Sequence, residues 1–488
     1  MIPRKFARAG ILLAAALALA GCATIDVETP TTLQTPASSP PEAPRATGVE
    51  TPASVEQRRL AALFGGAYSF PPAETYINTV LAKLAAAGDK PGQAYRVTIL
   101  NSPVVNAFAL PSGDLFVTRG LLALANDTSE LAAVMAHEIG HVTAGHAQQR
   151  AETEKNQTLV ANASRRLQPG DRSQQVTAVN QRTFASFSRQ QEFEADQIGV
   201  RVTANAGYDP YGAARFLTSL GRSIALRAQL FNQSGADKPD LLSSHPSTPE
   251  RIARATAEAR QFGAPGIGAT GRDEYLSAID GMQFGDNPSE GVIHGRNFIH
   301  PRLGFGIEAP EGFVLENTSQ AVLGVADGGA RALRLDSVKV AGDTALDSYL
   351  TSGWIEGLQL PSIQSTTING LPAATATAKS GEWSFRVAAV RLGSDVYRLI
   401  FATRQLTDAD DEKFMRSINT FRRISTDEAA TQRAPKIAIV AARAGDGAQD
   451  MAKKMATTDR PLDQFLLLNG LEGAGPLKAG ERYKIVVE

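Results

Sequence analysis

The chain has 488 residues, 43% of them apolar, which gives two or three domains a core each and excludes a chain disordered throughout. Its 49 basic and 50 acidic side chains nearly cancel to a net charge of -1, so the electrostatic footprint of phosphate-backbone binding is missing and nucleic acid is set aside as a partner. One cysteine in the whole chain excludes a disulfide framework.

Residues 1–22 have the pattern of an export signal. Arg4, Lys5 and Arg8 make a basic start, and the apolar run at 11–20 is shorter than the roughly 20 residues a membrane span needs. The run ends in Leu19-Ala20-Gly21-Cys22, which resembles a bacterial lipobox and makes Cys22 the candidate for lipidation. Ala23 stands where an inner-membrane retention signal commonly has Asp, so the resemblance implies an outer-membrane anchor facing the periplasm. Residues 23–54, rich in Pro and Thr, predict an extended linker.

The first globular unit is expected over 55–262. Apolar periodicity predicts helix over 57–87, short strands at 95–100 and 115–118, a third and exposed strand at 106–110, and mainly helices thereafter. The chemistry concentrates in Ala136-His137-Glu138-Ile139-Gly140-His141. Histidines at i and i+4 share one helix face and can hold one zinc ion, and Glu138 beside them can act as general base toward the attacking water. Asp127-Thr128-Ser129-Glu130 supplies an N-cap, and Leu131, Val134, Met135 and Ile139 an apolar face.

A catalytic zinc needs a third protein ligand. His146 lies nine residues after His137 where the metzincin spacing is ten, so it is assigned to the helix end, supporting a ligand or facing solvent. Glu192 is the better candidate. In the run from Ser188 to Asp196, helical spacing puts Glu192, Ala195, Asp196 and Gly199 on one face, with the small residues permitting close approach to the first helix. Asp196 can then accept the other ring N–H of a ligating histidine, while Glu194 points elsewhere.

HEIGH followed by Glu-x-x-Ala-Asp resembles the gluzincin metallopeptidases of the M-forty-eight family, which includes HtpX, the CaaX prenyl proteases and BepA-type lipoproteins. The resemblance extends to the segments around Asn106 to Gly113, Val117 to Leu121 and His245-Pro246-Ser247 with Arg251-Ile252, and covers about 60–260. It implies one zinc ion per chain and an edge strand, Asn106, Ala107, Phe108 and Ala109, that pairs with an extended substrate. His245 has two readings: a donor to the tetrahedral intermediate, or an occupant of the fourth zinc position that keeps the enzyme latent. Membrane-integrated members carry apolar spans between the two helices, whereas residues 150–182 are polar here.

Over 290–425 the pattern changes to strands at 332–340, 383–390 and 396–403, turns at Asn369-Gly370 and Gly393-Ser394-Asp395, and helices near 346–356 and 411–421, with no ligand cluster. Residues 435–488 resemble a βααβ LysM module, which implies binding to cell-wall glycan, although Gly447 stands where that family has Thr. The expected fold class is therefore α+β: a mainly helical zincin-like peptidase domain with a small sheet, an α+β antiparallel-sheet domain and a small βααβ module. The expected function is a zinc endopeptidase of the bacterial envelope that degrades misfolded or stalled polypeptides, with an envelope chaperone or assembly factor as the alternative.

Overall fold

A computed structural model describes residues 52–90, 92–152, 187–230, 245, 248–318, 321–456 and 460–488. The export signal, Cys22 and most of the linker lie outside them, as does most of the polar 150–182 segment. Among the described residues no helix is long and apolar enough to cross a membrane.

The expected helical stretch over 57–87 is two helices, α1 (Pro52–Leu63) and α2 (Pro71–Ala87). Gly65 and Gly66 separate them at φ 76° and 83°, and a Cβ on Gly65 would fall 2.6 Å from the Asn101 carbonyl oxygen. Pro71 and Pro72 then start α2, where a missing N–H costs nothing. Strands β1 (Arg96–Leu100), β2 (Ala107–Ala109) and β3 (Asp114–Thr118) form a sheet in the order β1-β3-β2. β1 runs parallel to β3 and β2 antiparallel to it, so β2 is an edge.

The sheet feeds α3 (Arg119–Leu124) and then α4 (Thr128–Ala144), which carries the HEIGH segment. Across it pack α5 (Arg189–Asn205) and α6 (Gly212–Leu230); α7 (Pro249–Ala259) packs on those two, and α8 (Arg272–Ile279) follows. The approach of α4 and α5 is as close as the small residues suggest. A Cβ on Gly140 would meet the Ala195 carbonyl oxygen at 3.0 Å, and one on Gly199 would meet the His137 backbone nitrogen at 3.0 Å.

Near residue 284 the chain leaves this unit and comes back at 435. Phe284 N–H donates to the Pro435 carbonyl at 2.7 Å, Gly281 N–H to Ile437 at 2.8 Å, and Ile437 N–H to Met282 at 2.9 Å. The excursion holds β4 (Val292–His294), β5 (Asn297–His300), β6 (Phe305–Glu308), β7 (Val314–Asn317), β8 (Val322–Ala326), β9 (Arg331–Lys339), α9 (Leu346–Leu350), β10 (Gln364–Ile368), β11 (Leu371–Ser380), β12 (Trp383–Leu392), β13 (Asp395–Thr403), α10 (Asp408–Ile418), β14 (Arg422–Arg423) and α11 (Thr426–Thr431). Seven strands form an antiparallel sheet, β10-β11-β12-β13-β9-β8-β7, and four a second, β14-β6-β5-β4. The large sheet is apolar on both faces: Ala388 and Val390 of β12 enter one core, Val387 and Ala389 the other. Two expected helices change bounds. The first stops at Leu350, with Gly353 and Gly357 following at φ 89° and 71°; the second starts at Asp408, capped by Thr407.

The last unit is β15 (Lys436–Ala441), α12 (Ala448–Ala452), α13 (Pro461–Leu468) and β16 (Arg482–Val487), with β15 antiparallel to β16. The described residues form a mixed fold of helices with several antiparallel sheets and the parallel pair β1–β3.

Candidate metal centre

The first ligand helix is held at both ends. Asp127 caps α4 by accepting the Glu130 N–H at 2.9 Å and the Ser129 hydroxyl at 2.6 Å. At the far end Gly145 takes φ 69°, a left-handed cap. Leu131, Met135 and Ile139 are buried as expected, whereas Val134 is half-buried and faces a cleft.

His137, His141, Glu192 and His245 converge, their ligand atoms all within 4.8 Å of one another. His137 Nε2 lies 3.1 Å from His141 Nε2 and 3.2 Å from His245 Nδ1. Glu192 Oε1 lies 2.9 Å from His245 Nδ1 and 3.6 Å from His141 Nε2, and Glu192 Oε2 lies 3.6 Å from His137 Nε2. Tetrahedral zinc with bonds of about 2.0–2.1 Å separates its ligand atoms by about 3.3 Å. The observed separations bracket that value, so the donor set fits a zinc ion in both size and chemistry.

The surrounding groups orient these donors. His137 Nδ1 lies 2.9 Å from Asp196 Oδ1, the contact expected from the sequence. Arg251 closes a bidentate pair on Asp196, Nε to Oδ2 and Nη2 to Oδ1 at 2.7 Å each, and places Nη1 2.8 Å from Glu192 Oε2. Burial opposes ionisation of both carboxylates, but Arg251 and His137 hold Asp196 well below the usual range, and His245, His137 and Arg251 hold Glu192 below it. Burial likewise drives His141 down, helped by the charges of the neighbouring histidines, which leaves its ring neutral and able to ligate. Arg251 is a residue whose role sequence reasoning missed. It sits 55 residues from Asp196, beyond any helical spacing rule, and only its place in the His245-Pro246 segment that carries the family resemblance hinted at it.

His146 is fully buried, which excludes the solvent-facing alternative. Its Nδ1 lies 2.9 Å from His141 Nδ1 and its Nε2 3.3 Å from Glu194 Oε2; Glu194 thus points away from the metal cluster, as expected, and meets the second nitrogen of His146. Phe187 was also missed. Its ring stacks on His141 with centroids 4.0 Å apart, and the Arg150 guanidinium covers it at 4.9 Å.

Glu138 is buried and its Oε1 stands 3.5 Å from His245 Nε2. Burial pushes its carboxyl up to about 8, with Glu192 adding to the rise and His137, Arg251 and a backbone bond to Ala109 opposing it. β2 therefore lies against the base. The Phe108 ring packs on Phe116 and Phe64, with centroids 4.8 and 5.5 Å away, so this edge offers an incoming chain mainly its backbone.

A capped helix bearing HExxH, a carboxylate ligand from a second helix and a buried glutamate at their junction define a zinc-metallopeptidase type of centre. Residues 71–259 match Peptidase family M48, and this part of the chain belongs to that family. The chain is similar to the beta-barrel assembly-enhancing protease of Escherichia coli, 29% identical over 214 residues, covering 41% of this chain and 42% of that protein. It is also similar to mitochondrial metalloendopeptidase OMA1 of Arabidopsis thaliana, 33% identical over 167 residues (34% of this chain, 32% of that one). The OMA1 of Schizosaccharomyces pombe is 32% identical over 187 residues, 38% of this chain and 52% of that one. The chain thus spans less than half the length of the Escherichia coli relative.

Proposed function

We propose that this chain is a zinc-dependent endopeptidase that cuts misfolded or stalled polypeptides of the bacterial envelope. The observation that carries the reading is the convergence of His137, His141 and Glu192 with Glu138 beside them. A zinc ion bound there would polarise a scissile carbonyl and acidify water. Glu138 accepts the proton of the attacking water and passes it to the leaving nitrogen. Asn106 to Ala109 hold the substrate backbone by strand addition, and Asp196, set by Arg251, fixes the His137 tautomer. The envelope assignment rests on the lipobox-like Cys22 and on the kind of relative found; lipidation at Cys22, an outer-membrane anchor and glycan binding by a LysM-like 435–488 module belong to the same proposal. So do the domain bounds 55–262, 290–425 and 435–488.

Of the two roles for His245, the geometry favours the fourth ligand, because its Nδ1 lies within 3.2 Å of His137 Nε2 and 2.9 Å of Glu192 Oε1. The enzyme is then latent until substrate displaces the ring. Comparing Glu138→Gln and His245→Ala with the wild-type chain on an unfolded polypeptide tests both claims. Glu138→Gln keeps zinc and loses cleavage by at least ~100-fold, and His245→Ala raises basal cleavage several-fold. Equal cutting by Glu138→Gln and wild type removes the base, and no cutting by any of the three favours a chaperone that acts by binding. A fall in cleavage with His245→Ala returns that residue to the donor role.

A further inference from the structure

The two histidines of the HEIGH helix are supported in different ways. His137 Nδ1 faces the Asp196 carboxylate directly, and Arg251 grips that carboxylate with two bonds. His141 instead turns its outer nitrogen to a second ring. Its Nδ1 lies 2.9 Å from Nδ1 of His146, which has no exposed surface, and His146 Nε2 lies 3.3 Å from Glu194 Oε2.

The chain breaks its helix to make this contact. Residues five apart on an unbroken helix stand about 140° apart around its axis, so residue 146 would face away from residue 141. Gly145, at φ 69°, ends α4 and turns the chain. The His146 ring then meets the His141 ring with centroids 4.9 Å apart and planes at 73°. Phe187 packs on both, 4.0 Å from His141 and 6.1 Å from His146 between centroids.

The direction of the hydrogen bonds follows from the two ends of this chain of rings. A carboxylate only accepts, so Glu194 requires the His146 proton on Nε2 and leaves a lone pair on Nδ1. That lone pair takes the N–H of His141 Nδ1, which leaves His141 Nε2 unprotonated. Nε2 is the nitrogen that faces His137 Nε2 at 3.1 Å and Glu192 Oε1 at 3.6 Å. The reverse direction would put a proton on His141 Nε2, inside the centre, where it blocks ligation. We infer that His146 is a positioning residue which, with Glu194 behind it, fixes the tautomer and ring plane of His141 so that Nε2 is presented to the metal. The inference rests on the metal-centre reading above. It gives that centre a second supporting carboxylate, one whose side chain is 52% exposed and which acts through a buried imidazole.

Two substitutions in the full chain separate this role from packing. His146→Phe keeps a ring in the buried site and removes the acceptor, whereas His146→Asn loses ring volume and keeps an acceptor, Oδ1, where Nδ1 stood. Zinc affinity, measured by competition with a chelator, is expected to fall about 10–100-fold in His146→Phe and only a few-fold in His146→Asn. A packing role predicts the opposite order; that order, or equal affinities in wild type and His146→Phe, overturns the inference.

A second measurement needs no substitution at this position. The chain holds six histidines, and with isotope-labelled histidine their ring nitrogens report each tautomer by NMR. His146 is expected to carry its proton on Nε2 and His141 on Nδ1, and a proton on His146 Nδ1 overturns the inference even if His146→Phe fails to fold. Glu194→Met is expected to move part of the His146 population to the other tautomer, and an unchanged spectrum overturns the role given to Glu194. The spectra are recorded with and without zinc. A wild-type chain that binds no zinc would sink the metal centre itself, while the His146 tautomer still decides the arrangement inferred here.

Discussion

Two units follow the peptidase fold in the chain, and they are held in opposite ways. The sheet unit between residues 285 and 434 has cores of its own on both faces of its large sheet, built around Leu399, Phe401 and Phe421 on one side and Ala376, Val387 and Phe385 on the other. The βααβ unit has none. Ile437, Met451, Phe465, Tyr483 and Ile485 share a single apolar cluster with Leu122, Leu131 and Met135, two of them on the HEIGH helix. Sequence order therefore says little about physical membership: the last fifty residues complete the peptidase core, and the larger unit before them is an excursion whose ends meet at residues 284 and 435.

That contrast is sharpest under truncation. Ending the chain at residue 434 uncovers Leu122, Leu131 and Met135, and is expected to abolish cooperative folding and zinc binding by the peptidase unit, whereas replacing residues 288–432 by a short Gly-Ser linker leaves both intact. The two tryptophans of the chain, Trp354 and Trp383, both lie in the sheet unit, so their fluorescence reports its unfolding alone. In the truncated chain the tryptophan transition should persist while zinc retention disappears; loss of both together would show that the units fold as one.

Next in size is Lys484, whose side chain is fully buried. Its Nζ donates to the Ala125 carbonyl at 2.6 Å and the Ala123 carbonyl at 2.8 Å, at the buried C-terminal end of α3 where the chain turns into the HEIGH helix. Asn469 clamps the Lys484 backbone from both sides, with its amide donating to the Lys484 carbonyl at 2.9 Å and its oxygen accepting the Lys484 N–H at 2.7 Å. Burial pulls the ammonium down to about 7, with the charges of Glu130 and Asp127 working the other way. Lys484→Met strands those carbonyls and is expected to cost about 3 kcal/mol. The helical transition at 222 nm should move down and the tryptophan transition should not; equal shifts in both would erase the distinction between the units.

The residues that escaped sequence reading fail for a common reason. His137, His141, Glu192 and Asp196 were legible because each pair sits on one helix, where 3.6-residue periodicity converts spacing into direction, and because Gly140, Ala195 and Gly199 announce the contact between the helices. Arg251, Phe187 and Lys484 act across 55, 46 and 359 residues of chain, and no local period carries that information. The strands from β4 to β8 were missed because they are short, at three to five residues each, too few to display alternation, and the ten-residue β11 because its run of Ala and Thr, buried on both faces, shows no alternation either. The long strands β9, β12 and β13 were found with their turns.

The smallest expected effect probes the sheet unit through pH. His300 is buried against Phe298 and Phe305, and its Nδ1 accepts the Leu303 N–H at 3.3 Å, a bond open only to the neutral ring. Burial lowers its pKa to about 4 from an ordinary 6.5, with the charge of Arg302 adding to the effect. The unfolded chain thus binds more protons than the folded one between pH 6.5 and 4, so stability is full above 6.5 and falls as pH drops through that window. By pH 5 the loss is on the order of 1–2 kcal/mol, allowing for partial exposure of the ring. The tryptophan transition should follow it, and His300→Asn, which keeps an acceptor for the Leu303 N–H and cannot take the proton, should flatten that part of the pH profile. The zinc-retaining helical transition has no share in His300, so a parallel shift there would mean that the excursion and the peptidase core are energetically one body.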